Sequence, residues 1–133
     1  MPANRYRRPG RGDTGALTLS YVIIVPVFMA AVMVIVQTSL WYLARQAALA
    51  AARQGADAAR VLDAPAGAGQ RAALGFARSA APGYLLGPAV TTSGSGAGTV
   101  QITVTGRAPS LVPGLVIRVR QVARAPVEQF TTP

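Results

Sequence analysis

The chain has 133 residues, 51% of them apolar, and a formal charge of +9 from 13 basic and 4 acidic side chains, with no histidine and no cysteine. Every basic residue is arginine, so Ser-His, Ser-Lys and cysteine nucleophiles are excluded by residue type, as is a His/Cys metal site. The positive charge is spread along the chain without interleaved aromatics or a recognition-helix pattern, which leaves no nucleic-acid-binding footprint.

Residues 1–15 form a basic leader. Arg5, Arg7, Arg8 and Arg11 stand among Pro2, Pro9, Gly10 and Gly12, a composition that predicts a flexible segment. From Thr14 to Ala44 the chain is apolar and carries no ionisable side chain other than the phenols of Tyr21 and Tyr42. A helix over that run is about 46 Å long, whereas the hydrocarbon layer needs only about 20 residues. The run therefore predicts a transmembrane helix over residues 16–44, capped by Asp13 or Thr14. The arginines before it favour a cytoplasmic N-terminus, because they are drawn to anionic headgroups and resist translocation. The run is twice as long as the apolar part of an ordinary secretory signal, so a retained anchor is the better account. Ala44, Ala47 and Ala50 leave a signal-peptidase site as the alternative. Pro26 removes one intrahelical hydrogen bond and marks a candidate kink.

Residues 45–63 read as a helical stem continuing the same helix, because Leu40 to Leu62 is rich in strong helix formers. Leu43, Ala47, Ala50, Gln54, Ala58 and Val61 recur at helical spacing and make a narrow stripe suited to helix packing. Arg53, Asp57 and Arg60 are spaced to pair on the other side. Trp41 and Tyr42 suit the outer headgroup boundary and join the stripe as packing candidates. Pro65, Gly67 and Gly69 end this helix.

Residues 64–133 predict a small α+β domain. Gln70 to Ala80 is a short helix stopped by Pro82 and Gly83, with Ala73, Phe76, Ala77 and Ala80 on one side. Thr99 to Thr105 alternates Val100, Ile102 and Val104 with polar residues, and Leu115 to Ala123 does the same with Ile117 and Val119 against Arg118 and Arg120. Both read as half-exposed antiparallel strands, with Tyr84 to Val90 supplying a third. The core expected beyond Gly67 draws on Leu74, Phe76, Leu85, Leu86, Val100, Ile102, Val104, Leu111, Val112, Leu115, Ile117, Val119 and Val122. A domain this small, without a disulfide, is marginal alone, so an oligomeric partner is expected. The acidic residues Asp13, Asp57, Asp63 and Glu128 have neither metal-ligand nor acid–base spacing, and no catalytic, cofactor or metal residues are assigned.

The segment Arg11 to Arg60 resembles the TadE-like family, the pseudopilin-like proteins of tight-adherence (Flp-type) pilus assembly. Gly15 falls at the family's leader glycine and Pro26 at its proline. Ala44-Arg45-Gln46-Ala47 and Ala52-Arg53-Gln54-Gly55-Ala56 fall at its alanine-rich signature, and the segment ITVTGRAPSLVPGLVIRVRQVARA is similar to its paired strands around a Pro-Gly link. The resemblance implies leader cleavage between Gly15 and Ala16 by a prepilin peptidase, and partners among pilus or secretion subunits, including TadE/TadF-like pseudopilins. Ser20 stands where the family has a glutamate, and Gln54 replaces a second one. A serine in lipid is cheap and bonds back to its own helix, whereas a carboxylate there is costly and functional. The departure points to an assembly component or minor subunit rather than an ordinary filament pilin.

The reading is thus a non-catalytic, single-pass protein of the cytoplasmic membrane with its C-terminal domain extracytoplasmic, binding lipid and other pilus subunits, as part of an assembly apparatus or a surface filament. A secreted or tethered accessory binding domain unrelated to pili is the alternative.

Overall fold

The structure, a computed structural model, describes residues 13–93 and 95–128, with side chains from Ser20 onward. The leader, and the caps expected of Asp13 and Thr14, lie outside the described residues or side chains. Two helices precede a three-stranded sheet: α1 (Asp13–Arg60), α2 (Ala68–Ala80), β1 (Leu86–Thr91), β2 (Thr99–Ala108) and β3 (Ile117–Pro126). The strand order is β1-β2-β3 and both pairings are antiparallel. This is the α+β arrangement expected of the chain: one long apolar helix, a short helix and a small antiparallel sheet.

The chain divides into two units, residues 1–35 and residues 36–133. In the first, α1 runs through Pro26 without a break, although proline supplies no N–H to the carbonyl of Val22. Every residue from Ser20 to Val36 is exposed, and the helix is long and apolar enough to cross a membrane.

The second unit takes in the helical stem of residues 45–63 as well as the domain expected over residues 64–133, because the stem is part of its core. Ala44, Ala48, Ala51, Ala52 and Ala56 of α1 cluster with Ala73 and Ala77 of α2, Leu85, Ile102 and Val104 of β2, and Val119 and Ala123 of β3. The physical cause is plain. A three-stranded sheet has one apolar face to cover, and a 13-residue α2 leaves part of that work to α1. Ile102 and Val104 are fully buried, worth about 1.5–3 kcal/mol each relative to exposure. Of the other expected core residues, Leu85 and Val119 are buried, Leu74, Phe76, Val100 and Ile117 are half-buried, and Leu86, Leu111, Val112, Leu115 and Val122 are exposed.

Helix α1 ends at Arg60, ahead of Pro65 and Gly67, and the turn that follows takes Asp63 into the left-handed region (φ 59°). Gly69 is no breaker; it lies inside α2. A Cβ on Gly55 would stand 2.7 Å from the Gly69 carbonyl oxygen, and one on Gly69 would stand 2.7 Å from that of Gly55. The two backbones touch because neither residue has a side chain. The far end of the sheet is tied back where Glu128 N–H donates to the Arg60 carbonyl at 3.0 Å, with Arg60 also paired to Asp57 at 3.2 Å and to Glu128 at 3.6 Å.

Candidate functional site

Among the described residues no group of three His, Cys, Asp or Glu side chains could hold a metal ion, and the functional candidates are surfaces. The alanine-rich part of α1 offers small residues all round, so periodicity alone does not choose which side is covered. The structure buries Ala44, Ala48, Ala51 and Gly55, with Ala52 and Ala56 beside them. This side is offset by one residue, about 100° around the axis, from the stripe read in the sequence. On that stripe Leu43, Gln54 and Val61 are exposed, and Ala47, Ala50 and Ala58 are half-buried. The stripe therefore does not form the inner face of the fold. Part of it lines a shallow groove of about 300 Å³, in which Leu43, Ala47 and Ala50 face Phe76, Ala81 and Tyr84.

Trp41 and Tyr42 are adjacent in α1 and so sit about 100° apart around the helix axis. Trp41 is half-buried and packs against the core, with the Arg45 guanidinium 5.7 Å from its ring centroid, a cation–π distance. Tyr42 is exposed. Gly15 and Ala16 lie within α1, and their side chains are outside the described set. Arg53 makes no ion pair among the described residues, whereas Asp57 and Arg60 pair as their spacing anticipates.

One residue that the sequence did not single out is Gln37. Its Nε2 donates to the Pro109 carbonyl at 3.1 Å, and its Oε1 accepts from the Leu111 N–H at 3.0 Å and from the Ser110 hydroxyl at 3.5 Å. This amide binds α1 to the β2–β3 connection. The available signal was a glutamine directly after an unbroken apolar run, at a point where the pattern called for another apolar residue.

On the sheet face opposite the core, alternation places Arg107, Arg118, Arg120 and Arg124. Arg107 stands directly across from Arg118, and both line a groove of about 470 Å³ with Arg120, Thr105 and Gly87. Arg124 donates to the Gln101 side chain at 2.6 Å.

With this arrangement in place, comparison with known proteins locates one segment. Residues 15–57 match the family model described as TadE-like protein. No curated protein and no solved structure gives a significant match to the chain. The TadE-like segment holds the exposed apolar run, Gln37, Trp41 and nearly all of the stem buried in the second unit. The sheet and its arginine face lie outside the match.

Proposed function

We propose that the chain is a non-catalytic, single-pass membrane component of a tight-adherence (Flp-type) pilus assembly system, acting as a minor pseudopilin or assembly subunit. The observation that carries this reading is the exposed run Ser20–Val36 within the TadE-like match. An uninterrupted apolar helix surface left uncovered by its own chain needs a non-aqueous surrounding, and a bilayer supplies it. Residues 16–36 are long enough to span by themselves, which shortens the membrane segment from 16–44. Residues 37–44 then belong with the folded unit, consistent with Ala44 being fully buried there.

The arginine leader holds the N-terminus in the cytoplasm and the sheet domain outside it. A prepilin peptidase cleaves after Gly15 and leaves Ala16 as the new N-terminus. Partners are other subunits of the apparatus, TadE/TadF-like pseudopilins included. The Leu43–Ala47–Ala50 groove is the surface against which a neighbouring helix packs, since small residues there permit close approach. Ser20 in place of the family's glutamate fits a subunit that does not insert by the ordinary pilin route.

Co-expression with a prepilin peptidase, followed by intact-mass measurement of the membrane-extracted chain, tests this reading. A mature form beginning at Ala16 is expected. A chain cut near residues 45–51 and released from the membrane would contradict it.

A further inference from the structure

The β2–β3 connection is a hydrophobic tip on a basic collar, and we infer that it inserts into the bilayer as a second membrane contact whose arginines bind the phosphates of anionic lipid headgroups. This rests on the membrane reading above and adds a contact that the apolar helix does not predict.

The tip is residues 109–116. Leu111, Val112, Leu115 and Val116 are 49%, 42%, 46% and 57% exposed. Connections in water are ordinarily built from polar and turn-forming residues, and four large aliphatic side chains within six positions make a surface patch that needs an occupant. The tip is also preformed. Leu115 N–H donates to the Val112 carbonyl at 3.2 Å across Pro113 and Gly114, with Gly114 at φ 81°, the geometry of a proline–glycine type II turn. Insertion therefore costs little further ordering.

The occupant follows from where the tip is fastened. Gln37 grips Pro109, Ser110 and Leu111, and Gln37 directly follows Val36, the last residue of the exposed apolar run. Wherever Val36 reaches the edge of the hydrocarbon, the tip is held within a side chain's length of it. A lipid surface is thus continuous with the surface already required by α1.

The collar fits the same occupant. Ala108 pairs with Ile117 at the base of the tip, Arg107 with Arg118 one step back, and Thr105 with Arg120 beyond. Like charges directly opposite each other on two strands are unfavourable. No ion pair or hydrogen bond relieves Arg107, Arg118 or Arg120 among the described residues. At about 3.4 Å per residue, these guanidinium groups trail the tip by the distance separating acyl chains from phosphates, and arginine takes phosphate in bidentate geometry. The groove they line, of about 470 Å³ and with Gly87 on its wall, is large enough for a headgroup phosphate. A second copy of this chain is a poor occupant: it carries the same arginines and a net charge of +9.

The full chain has no cysteine, so single labels are unambiguous. Leu111→Cys, Ser93→Cys and Met29→Cys variants, each carrying an environment-sensitive fluorophore, are reconstituted in vesicles of phosphatidylcholine and phosphatidylglycerol in equal parts. Nitroxide on either lipid serves as the quencher. Quenching at Met29 and Leu111, with none at Ser93 on the other end of the sheet, is expected. Nitroxide-phosphatidylglycerol should quench Leu111 more than nitroxide-phosphatidylcholine does, by up to roughly fivefold per engaged arginine, and the triple variant Arg107→Gln, Arg118→Gln and Arg120→Gln should remove the difference. Quenching at Met29 without quenching at Leu111, whether the tip stays in water or is covered by protein, overturns the inference and leaves the membrane span standing. Equal quenching by the two lipids overturns the collar. Absence of quenching at Met29 overturns the membrane reading itself.

Discussion

Gly55 and Gly69 control how closely the two helices approach. Alanine at either position brings a Cβ to 2.7 Å from a backbone carbonyl oxygen and 2.8 Å from an alanine methyl, and backbone cannot swing aside as a flexible side chain can. Helix propensity favours alanine over glycine by about 1 kcal/mol, but overpacking against rigid neighbours costs typically about 1–3 kcal/mol or more. Gly55→Ala and Gly69→Ala are therefore each expected to lower stability, by up to about 2 kcal/mol, in chemical denaturation of the detergent-solubilised chain followed through Trp41 fluorescence. Thr103 is the opposite case. It is buried at the middle of β2 and its hydroxyl has no hydrogen-bond partner. Thr103→Val keeps the shape and removes the unsatisfied group, so the same measurement should find it unchanged or more stable by up to about 1 kcal/mol.

At the scale of elements, the contact of greatest consequence is a single amide. Gln37 supplies hydrogen bonds that hold α1 to the β2–β3 connection, while within the connection the Leu115 N–H donates to the Val112 carbonyl and the Ser110 hydroxyl bonds both the N–H and the carbonyl of Val112. Gln37→Ala is expected to lose about 1–3 kcal/mol from two direct bonds at about 0.5–1.5 kcal/mol each. The Leu111 amide should then exchange with solvent markedly faster than the amides of β2, and an unchanged Leu111 rate would contradict this role. Most elements were readable beforehand, for identifiable reasons. Val100, Ile102 and Val104 alternate cleanly, so β2 and its inward face follow from the period of two. Pro82 and Gly83 punctuate the end of α2. The side of α1 that would be buried was not readable, because an alanine-rich helix presents nearly equivalent small faces, and the choice of Ala44, Ala48 and Ala51 over Leu43, Ala47 and Ala50 depends on the sheet that lands there. Nor was the exposure of Leu111, Val112 and Leu115: their aliphatic character reads as core, and only the turn at Pro113–Gly114 directs them outward. The interaction stripe on α1 carried no chemical label in the sequence, since small residues at helical spacing serve an internal and an external contact equally well.

On the scale of the whole molecule, α1 divides by environment. Ser20 to Val36 is exposed and mostly apolar, and the residues from Gln37 onward join a folded unit that includes Trp41, Ala44 and the sheet. This division predicts that the chain resists extraction by alkaline carbonate and is released by detergent. It also predicts that replacing Arg5, Arg7, Arg8 and Arg11 with glutamine reduces the fraction of chains with the C-terminal domain outside the cytoplasm, read by protease protection in spheroplasts; the arginine excess before the span is the main charge bias available to orient it. The most direct test is a spin-label scan of single-cysteine variants from Tyr21 to Ala52 in the reconstituted full chain, comparing collision with oxygen, which concentrates in lipid, and with a water-soluble nickel complex. Oxygen-dominated collisions are expected on all sides of the helix from Tyr21 to about Val36, and from Gln37 onward a one-sided pattern in which Ala44, Ala48 and Ala51 are shielded from both. Collisions dominated by the nickel complex through Tyr21–Val36 would contradict this division.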